Sequence, residues 1–169
     1  SGNDNNGTVR GPALDNGRYA DANGSYLFDG TNDDIAIGDT GFPMGSSART
    51  VSGWVKLDAN ETDEETILFY GKAEAGKGFW LGIDVNGTLA ASGFGDVNAS
   101  RKFDANGTNL RDGRWHHFAF TSSADANQTA RLFVDGTLAG AATGFDIDTQ
   151  LAAPGFYHVE ISNEAGTLI

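Results

Sequence analysis

Alternating apolar residues near the middle of the chain constrain its fold more than any other feature. Residues 118–121 read Phe-Ala-Phe-Thr, which is the period-two pattern of a half-buried strand. Residues 132–134 read Leu-Phe-Val and lead into Asp135-Gly136, a dipeptide that suits the positive φ angles of a tight hairpin. The two segments therefore predict antiparallel strands in a sheet with one buried face.

The same pattern recurs along most of the chain, and no window shows a sustained helical period. With 169 residues, 24 Gly and 3 Pro, the sequence predicts a single all-β domain with a sizeable core. The expected strands cover residues 25–30, 33–38, 48–57, 66–72, 78–84, 88–94, 114–122 and 130–135.

Several segments, in the right order, resemble the laminin G-like and pentraxin-like branch of the concanavalin A-like lectin/glucanase superfamily. They are residues 1–9, 26–37, 50–56, 112–121 and 132–139. The resemblance implies an antiparallel β-sandwich of jelly-roll type, with a glycan or glycoprotein as the commonest ligand class. Members of that branch carry a further strand at each end that this sequence does not show. We therefore interpret residues 1–169 as one laminin G-like domain that lacks the first and last strands of the family. Either the chain is a fragment of a larger protein, or its vacant sheet edges accept a strand-donating segment.

The composition excludes several functions. The chain has 23 acidic and 11 basic residues, and its formal charge of -12 argues against binding a nucleic-acid backbone. No apolar run approaches the roughly 18 residues that would span a bilayer, so we expect no membrane insertion. The absence of Cys excludes disulfides and thiolate metal sites. The acidity fits either a generally soluble surface or a halophilic habitat.

Seven Asn-x-Ser/Thr triplets indicate an extracellular or cell-surface glycoprotein, including the surface of a halophilic archaeon or its virus. A marine bacterium, in which the triplets carry no meaning, is the alternative. Asn-Gly-Thr is also a good turn sequence, which explains Asn86 and Asn106. The predicted glycosylation sites are Asn6, Asn23, Asn60, Asn98 and Asn127.

A calcium site is implied by the pentraxin resemblance. Asp63 and Glu64 fall where that family places calcium ligands, and Glu164 falls on a later ligand segment. Ca²⁺ takes six to eight oxygen ligands, which clustered loop carboxylates can supply. A solvated acidic loop explains the same residues. A second acidic segment, residues 29–34, is better explained as a turn.

Two tryptophans are candidates for ligand binding. On the strand predicted over residues 48–57 the apolar set shares one face, which sends Trp54 to the other. Trp80 leaves the apolar face of residues 78–84 in the same way. Sugar rings stack on such side chains. Burial of both rings under loops is the alternative.

Catalysis is not expected. Glu61, Asp63 and Glu65 have the one-apart spacing of retaining glycoside hydrolases, but polar residues separate them and indicate a loop. His116 and His117 point to opposite faces of a strand and cannot hold one metal ion. We expect structural hydrogen bonding for one and a surface position for the other.

These observations predict a non-catalytic, extracellular recognition or adhesion module within a larger surface protein, with calcium as its expected cofactor. A structural domain of a cell-surface or virion assembly, a glycoside hydrolase and a calcium-dependent pentraxin-like ring are the alternatives.

Overall fold

The computed structural model describes residues 6–38, 41–94, 102–150, 159–162 and 166–168. These residues form antiparallel strands, and no helix is present among them. In chain order the strands are β1 (Thr8–Arg10), β2 (Ala13–Asp15), β3 (Ser25–Phe28), β4 (Asp34–Ile37), β5 (Arg49–Lys56), β6 (Glu65–Gly71), β7 (Gly78–Ile83), β8 (Leu89–Gly93), β9 (Lys102–Asp104), β10 (Trp115–Ser122), β11 (Ala130–Val134), β12 (Thr137–Ala142), β13 (Val159–Ser162) and β14 (Gly166–Leu168).

Two seven-stranded sheets pack face to face. The first has the spatial order β1-β4-β13-β6-β7-β8-β9, and the second has the order β12-β11-β10-β5-β14-β3-β2. Six pairs of sequential strands lie side by side in one sheet: β2–β3, β6–β7, β7–β8, β8–β9, β10–β11 and β11–β12. Every other connection crosses from one sheet to the other. This arrangement confirms the predicted all-β sandwich of jelly-roll type.

The core lies between the sheets and follows from the alternation read in the sequence. Phe79, Leu81 and Ile83 of β7 are fully buried, and Phe118 and Phe120 of β10 face them from the second sheet. The rings of Phe79 and Phe120 lie 5.0 Å apart, centroid to centroid, in a tilted arrangement that adds to their burial.

The eight predicted strands match β3 to β8, β10 and β11 within about two residues. The turn at Asp135-Gly136 joins β11 to β12, and its φ angles of 49° and 79° are those of the predicted hairpin. The predicted loop over residues 61–65 ends one residue early, because Glu65 begins β6. The strands not predicted are mostly three or four residues long.

Arg49 fastens one end of the sandwich. Its guanidinium is buried and donates hydrogen bonds to Tyr70 Oη at 3.0 Å and to Thr149 Oγ1 at 2.7 Å. It also donates to the carbonyl oxygens of Ser47 and Gly45. This dense bonding serves the fold at that end, and the opposite end carries the open loops.

Candidate ligand-binding site

The outer face of the second sheet is aromatic. Residues directly opposite each other on antiparallel strands point to the same side. The register pairs Trp54 with His117, and Lys56 with Trp115, one step along the same strands. Phe133 of β11 follows on this side, opposite Ala119. We call this surface the aromatic face.

Trp54 is half-buried, as part of a stack. The guanidinium carbon of Arg18 lies 4.1 Å from the centroid of the Trp54 ring and 3.9 Å from that of Tyr19. His117 meets the Trp54 ring edge-on, with 5.2 Å between centroids. Tyr19 is 74% exposed. Because Arg18 lies over Trp54, the open aromatic surface at this point belongs mainly to Tyr19.

An acidic cleft of about 440 Å³ adjoins the aromatic face. It lies at the loop end of the sandwich, where β5 ends and β10 is about to begin. Lys56 and Leu27 belong to the outer side of the second sheet and also line the cleft, so the two surfaces are continuous. The cleft carboxylates are Asp15, Asp29, Asp58 and Glu61.

Arg111 ties the loops of this end together. Its guanidinium donates hydrogen bonds to the carbonyl oxygen of Val85 at 3.1 Å and to that of Asp63. Its Nη2 atom also lies 3.6 Å from Glu65 Oε1, which is too far for a hydrogen bond. Neither carboxylate oxygen of Glu65 has a hydrogen-bond partner. Both side chains are at least 95% buried.

The buried carboxylate of Glu65 is therefore poorly compensated. Burial raises the pKa of Glu65 to about 7, Arg111 opposes the change, and the charges of Glu61 and Asp63 add to it. A perturbed carboxyl near a cleft is a common sign of a functional site, but this side chain faces the interior and does not line the cleft. We interpret Glu65 as part of the framework that holds the loops.

His116 stands between two carboxylates at the start of β10, on the side of that strand that Phe118 and Phe120 share. Its Nδ1 atom lies 2.8 Å from Asp135 Oδ2, and its Nε2 atom lies 3.0 Å from Asp112 Oδ1. Burial lowers the pKa of His116, but the hydrogen bonds and charges of Asp135 and Asp112 outweigh it, so the pKa is raised above its ordinary value. The side-chain hydrogen bond from Arg114 and, to a smaller extent, the one from His116 lower the pKa of Asp112 to about 2. This cluster fixes the start of β10 to the β11–β12 hairpin.

Trp80 occupies a different environment from Trp54. It is 8% exposed, its indole N–H donates a hydrogen bond to Thr66 Oγ1 at 2.9 Å, and its ring lies against Gly82, where a Cβ atom would collide with it. The burial alternative fits this ring. Ligand binding at Trp80 stays a prediction, and the site described here does not depend on it.

The predicted calcium ligands are only partly described. Asp63 and Glu64 are exposed on the loop before β6, and Glu164 lies outside the described residues. Among the described side chains, no three His, Asp or Glu residues form a metal-ligand group. Calcium binding stays a prediction.

The predicted glycosylation sites are exposed wherever the structure describes them. Asn6, Asn23, Asn60 and Asn127 are accessible, and Asn98 lies outside the described ranges. Their glycosylation remains a prediction. In the part of the chain that the structure describes, no helix is long and apolar enough to cross a membrane.

Three residues of the site were missed by sequence reasoning. Trp115 sits two places before His117, so the alternation that sends Phe118 inward would also have placed Trp115 outward. Arg18 and Tyr19 lie in the loop between β2 and β3, where no periodic pattern indicates which strand they will cover.

The two packed antiparallel sheets define the class of the protein, a β-sandwich of jelly-roll type. A laminin G-type family model, described as the concanavalin A-like lectin/glucanases superfamily, matches residues 29–164. The chain belongs to that superfamily, which confirms the resemblance found in its sequence. No curated protein matches the sequence at a significant level.

Solved structures share the fold at low sequence identity. The binding domain of Paraclostridial Mosquitocidal Protein 1 is 13% identical, with a TM-score of 0.69 over 99% of this chain and 42% of that one. The receptor binding domain of botulinum neurotoxin C/D mosaic serotype is 17% identical, with a TM-score of 0.63 over 98% and 41%. The botulinum neurotoxin serotype D ligand binding domain, solved with N-acetylneuraminic acid, is 18% identical, with a TM-score of 0.65 over 98% and 41%. The chain thus spans about two fifths of each of these domains.

Proposed function

We propose that this chain is a non-catalytic module that recognises carbohydrate, carried on a glycan or a glycoprotein. The observation that carries the proposal is the exposed ring of Tyr19, stacked through Arg18 on Trp54, beside a cleft lined with carboxylates. A sugar packs its apolar ring face on an aromatic side chain and directs its hydroxyls to charged acceptors and donors. The aromatic face and the cleft together offer both kinds of contact.

The positions of the acids favour binding without hydrolysis. Retaining glycoside hydrolases need two carboxyl groups about 5 Å apart facing the same sugar. Of the three acids with hydrolase-like spacing, Glu61 lines the cleft, Asp63 is exposed outside it and Glu65 is buried against Arg111. These three groups do not face one substrate position.

An extracellular or cell-surface location accompanies this proposal. The exposed asparagines of the Asn-x-Ser/Thr triplets support it. The structural neighbours are binding domains of toxins, and this chain spans 41–42% of the three described above. We infer that the module works beside other domains of a larger surface protein.

A glycan array with the intact domain, followed by titration of the best ligand, tests the proposal. Because carboxylates line the cleft, we expect neutral glycans to bind better than sialylated ones, which carry a carboxylate of their own. Tyr19→Ala should weaken binding about tenfold with little change in stability, since Tyr19 is exposed. Phe94→Ala is the matched control, because Phe94 is a partly exposed ring that directly follows β8 of the other sheet.

The outcomes separate the alternatives. Equal losses of affinity in the Tyr19 and Phe94 variants would remove the aromatic face from the account. Release of reducing sugar from the bound glycan would assign the chain to the hydrolases. An array without any ligand would favour the structural-assembly alternative.

One observation supports the alternative of a structural role in an assembly. The two edge strands of the second sheet, β2 and β12, carry Leu14, 56% exposed, and Leu138, 53% exposed. Exposed edges with apolar side chains invite pairing between chains. Light scattering of the wild type and of a Leu14→Ser, Leu138→Ser variant would show association that depends on these edges.

A further inference from the structure

A second, smaller pocket lies at the loop end of the first sheet. It occupies about 330 Å³ between the turn that joins β7 to β8 and the loop that leads from β9 to β10. Its volume is at the lower end of the roughly 300–1,000 Å³ typical of ligand sites. It shares no lining residue with the acidic cleft. Its lining residues are Asn86, Thr88, Asp104, Asn106, Gly107 and Asn109.

One wall of the pocket is a turn fixed by a single carboxylate. Asp84 Oδ1 accepts hydrogen bonds from the backbone N–H groups of Asn86 and Thr88, both at 2.9 Å. The backbone N–H of Asp84 in turn donates to the carbonyl oxygen of Thr88 at 2.9 Å. This bonding holds the turn rigidly and uses only main-chain groups of Thr88.

The opposite wall is tied directly to that turn. The backbone N–H of Leu110 donates to the carbonyl oxygen of Gly87 at 2.8 Å. Asn109 Oδ1 accepts from the backbone N–H of Arg111 at 2.8 Å. A Cβ atom on Gly87 would lie 2.3 Å from Asn109 Oδ1, so glycine at this position lets the two loops meet. The pocket is therefore preorganised.

The hydroxyl of Thr88 has no partner in this arrangement. Thr88 is 8% exposed, and its Oγ1 atom is buried without a hydrogen bond. Buried polar side-chain atoms in folded proteins are nearly always paired. A hydroxyl both donates and accepts, so the natural partner is another hydroxyl entering from the pocket.

The remaining lining groups suit a polyhydroxyl ligand. The side-chain amide of Asn86 already donates to Asp84 Oδ2 at 3.2 Å, and Asn109 Oδ1 accepts from Arg111. The other polar groups of these two carboxamides, together with the carboxamide of Asn106, supply donors and acceptors. One carboxylate, Asp104, supplies a charged acceptor. The lining contains neither a cationic nor an aromatic side chain, and Asp104 disfavours an anionic ligand. We propose that this pocket binds one neutral sugar residue through its hydroxyl groups. The inference rests on the proposed function and adds a second sugar position to it.

NMR titration of the ¹⁵N-labelled domain with methyl glycosides of glucose, galactose and mannose tests the inference. Binding in the pocket should give saturable shifts of the backbone amides of Gly87 and Gly107, with N-acetylneuraminic acid giving weaker ones. Thr88→Val keeps the side-chain shape and removes the hydroxyl, and it should weaken pocket binding about three- to tenfold. Asn106 is an exposed loop residue that lines the pocket, so Asn106→Ala should also weaken sugar binding there. The matched control is Thr108→Val, which alters the other Asn-Gly-Thr segment at this pocket, residues 106–108, at a residue that does not line the pocket.

The results distinguish this inference from the proposed function. Shifts at the indole N–H of Trp54 without shifts at Gly87 and Gly107 would overturn the pocket and leave the aromatic face intact. Shifts at the two glycines alone would support the pocket and count against the aromatic face. Equal losses in the Thr88 and Thr108 variants, or shifts produced equally by calcium alone, would also overturn the inference.

Discussion

Replacing the buried Glu65 by Gln should remove a large part of the pH dependence of stability. The pKa of Glu65 is about 7 in the native state against an ordinary value of 4.5, so the native protein binds an extra proton between these values. The contribution of this proton to the free energy of unfolding is fully present below pH 4.5 and is lost as the pH rises through 7. The raised pKa corresponds to a total loss of about 3 kcal/mol, of which about 2.5 kcal/mol falls between pH 5 and pH 8.

Urea unfolding, followed by tryptophan fluorescence from pH 5 to pH 8.5, measures this effect. His116 also has a raised pKa, so its contribution to the free energy of unfolding falls as the pH rises as well. The difference in the free energy of unfolding between wild type and Glu65→Gln therefore isolates the contribution of the Glu65 carboxyl group. Glu64→Gln is the matched control, because it removes an exposed charge from the same loop and leaves Arg111 untouched. Parallel curves for wild type and Glu65→Gln would refute the reasoning.

Trp80→Ala should lower the free energy of unfolding by about 3–5 kcal/mol, because the ring is packed and hydrogen-bonded; a well-folded variant of unchanged stability would contradict this. His116→Gln should destabilise the protein more at pH 5.5 than at pH 8.5, because the charged ring pairs with two carboxylates, and NMR titration of the wild-type ring should give a pKa above 6.5. If calcium binds through Asp63, Glu64 and Glu164, the melting temperature of metal-free protein should rise with the logarithm of free calcium and fall on chelation, and an Asp63→Asn, Glu64→Gln variant should lose the response.

The sandwich was predictable because burial of one sheet face imposes a period of two on the sequence. Strands such as β7 and β10 show that period over six residues or more, and their apolar sets face the core as expected. β1, β2, β9 and β14 have three residues each, too few to show any period. Their pairing is decided by the sheets they complete, which is tertiary information.

The site was predictable only in part, for a related reason. Alternation placed Trp54 on the outer side of its strand, and the same rule applied to Trp115 would have extended the aromatic face. Contacts across the chain have no local pattern, as Glu65 and Arg111 show: they meet 46 positions apart. The cover that Arg18 places over Trp54 likewise depends on where a loop folds back.

The most direct test of carbohydrate recognition uses the indole N–H signals of the three tryptophans. Trp54 and Trp115 lie on the aromatic face, whereas the Trp80 indole is hydrogen-bonded in a buried position on the other sheet. Titration of the ¹⁵N-labelled domain with its best array glycan should shift the Trp54 signal and leave the Trp80 signal in place. A glycan that binds tightly yet leaves the Trp54 signal unmoved would contradict the account.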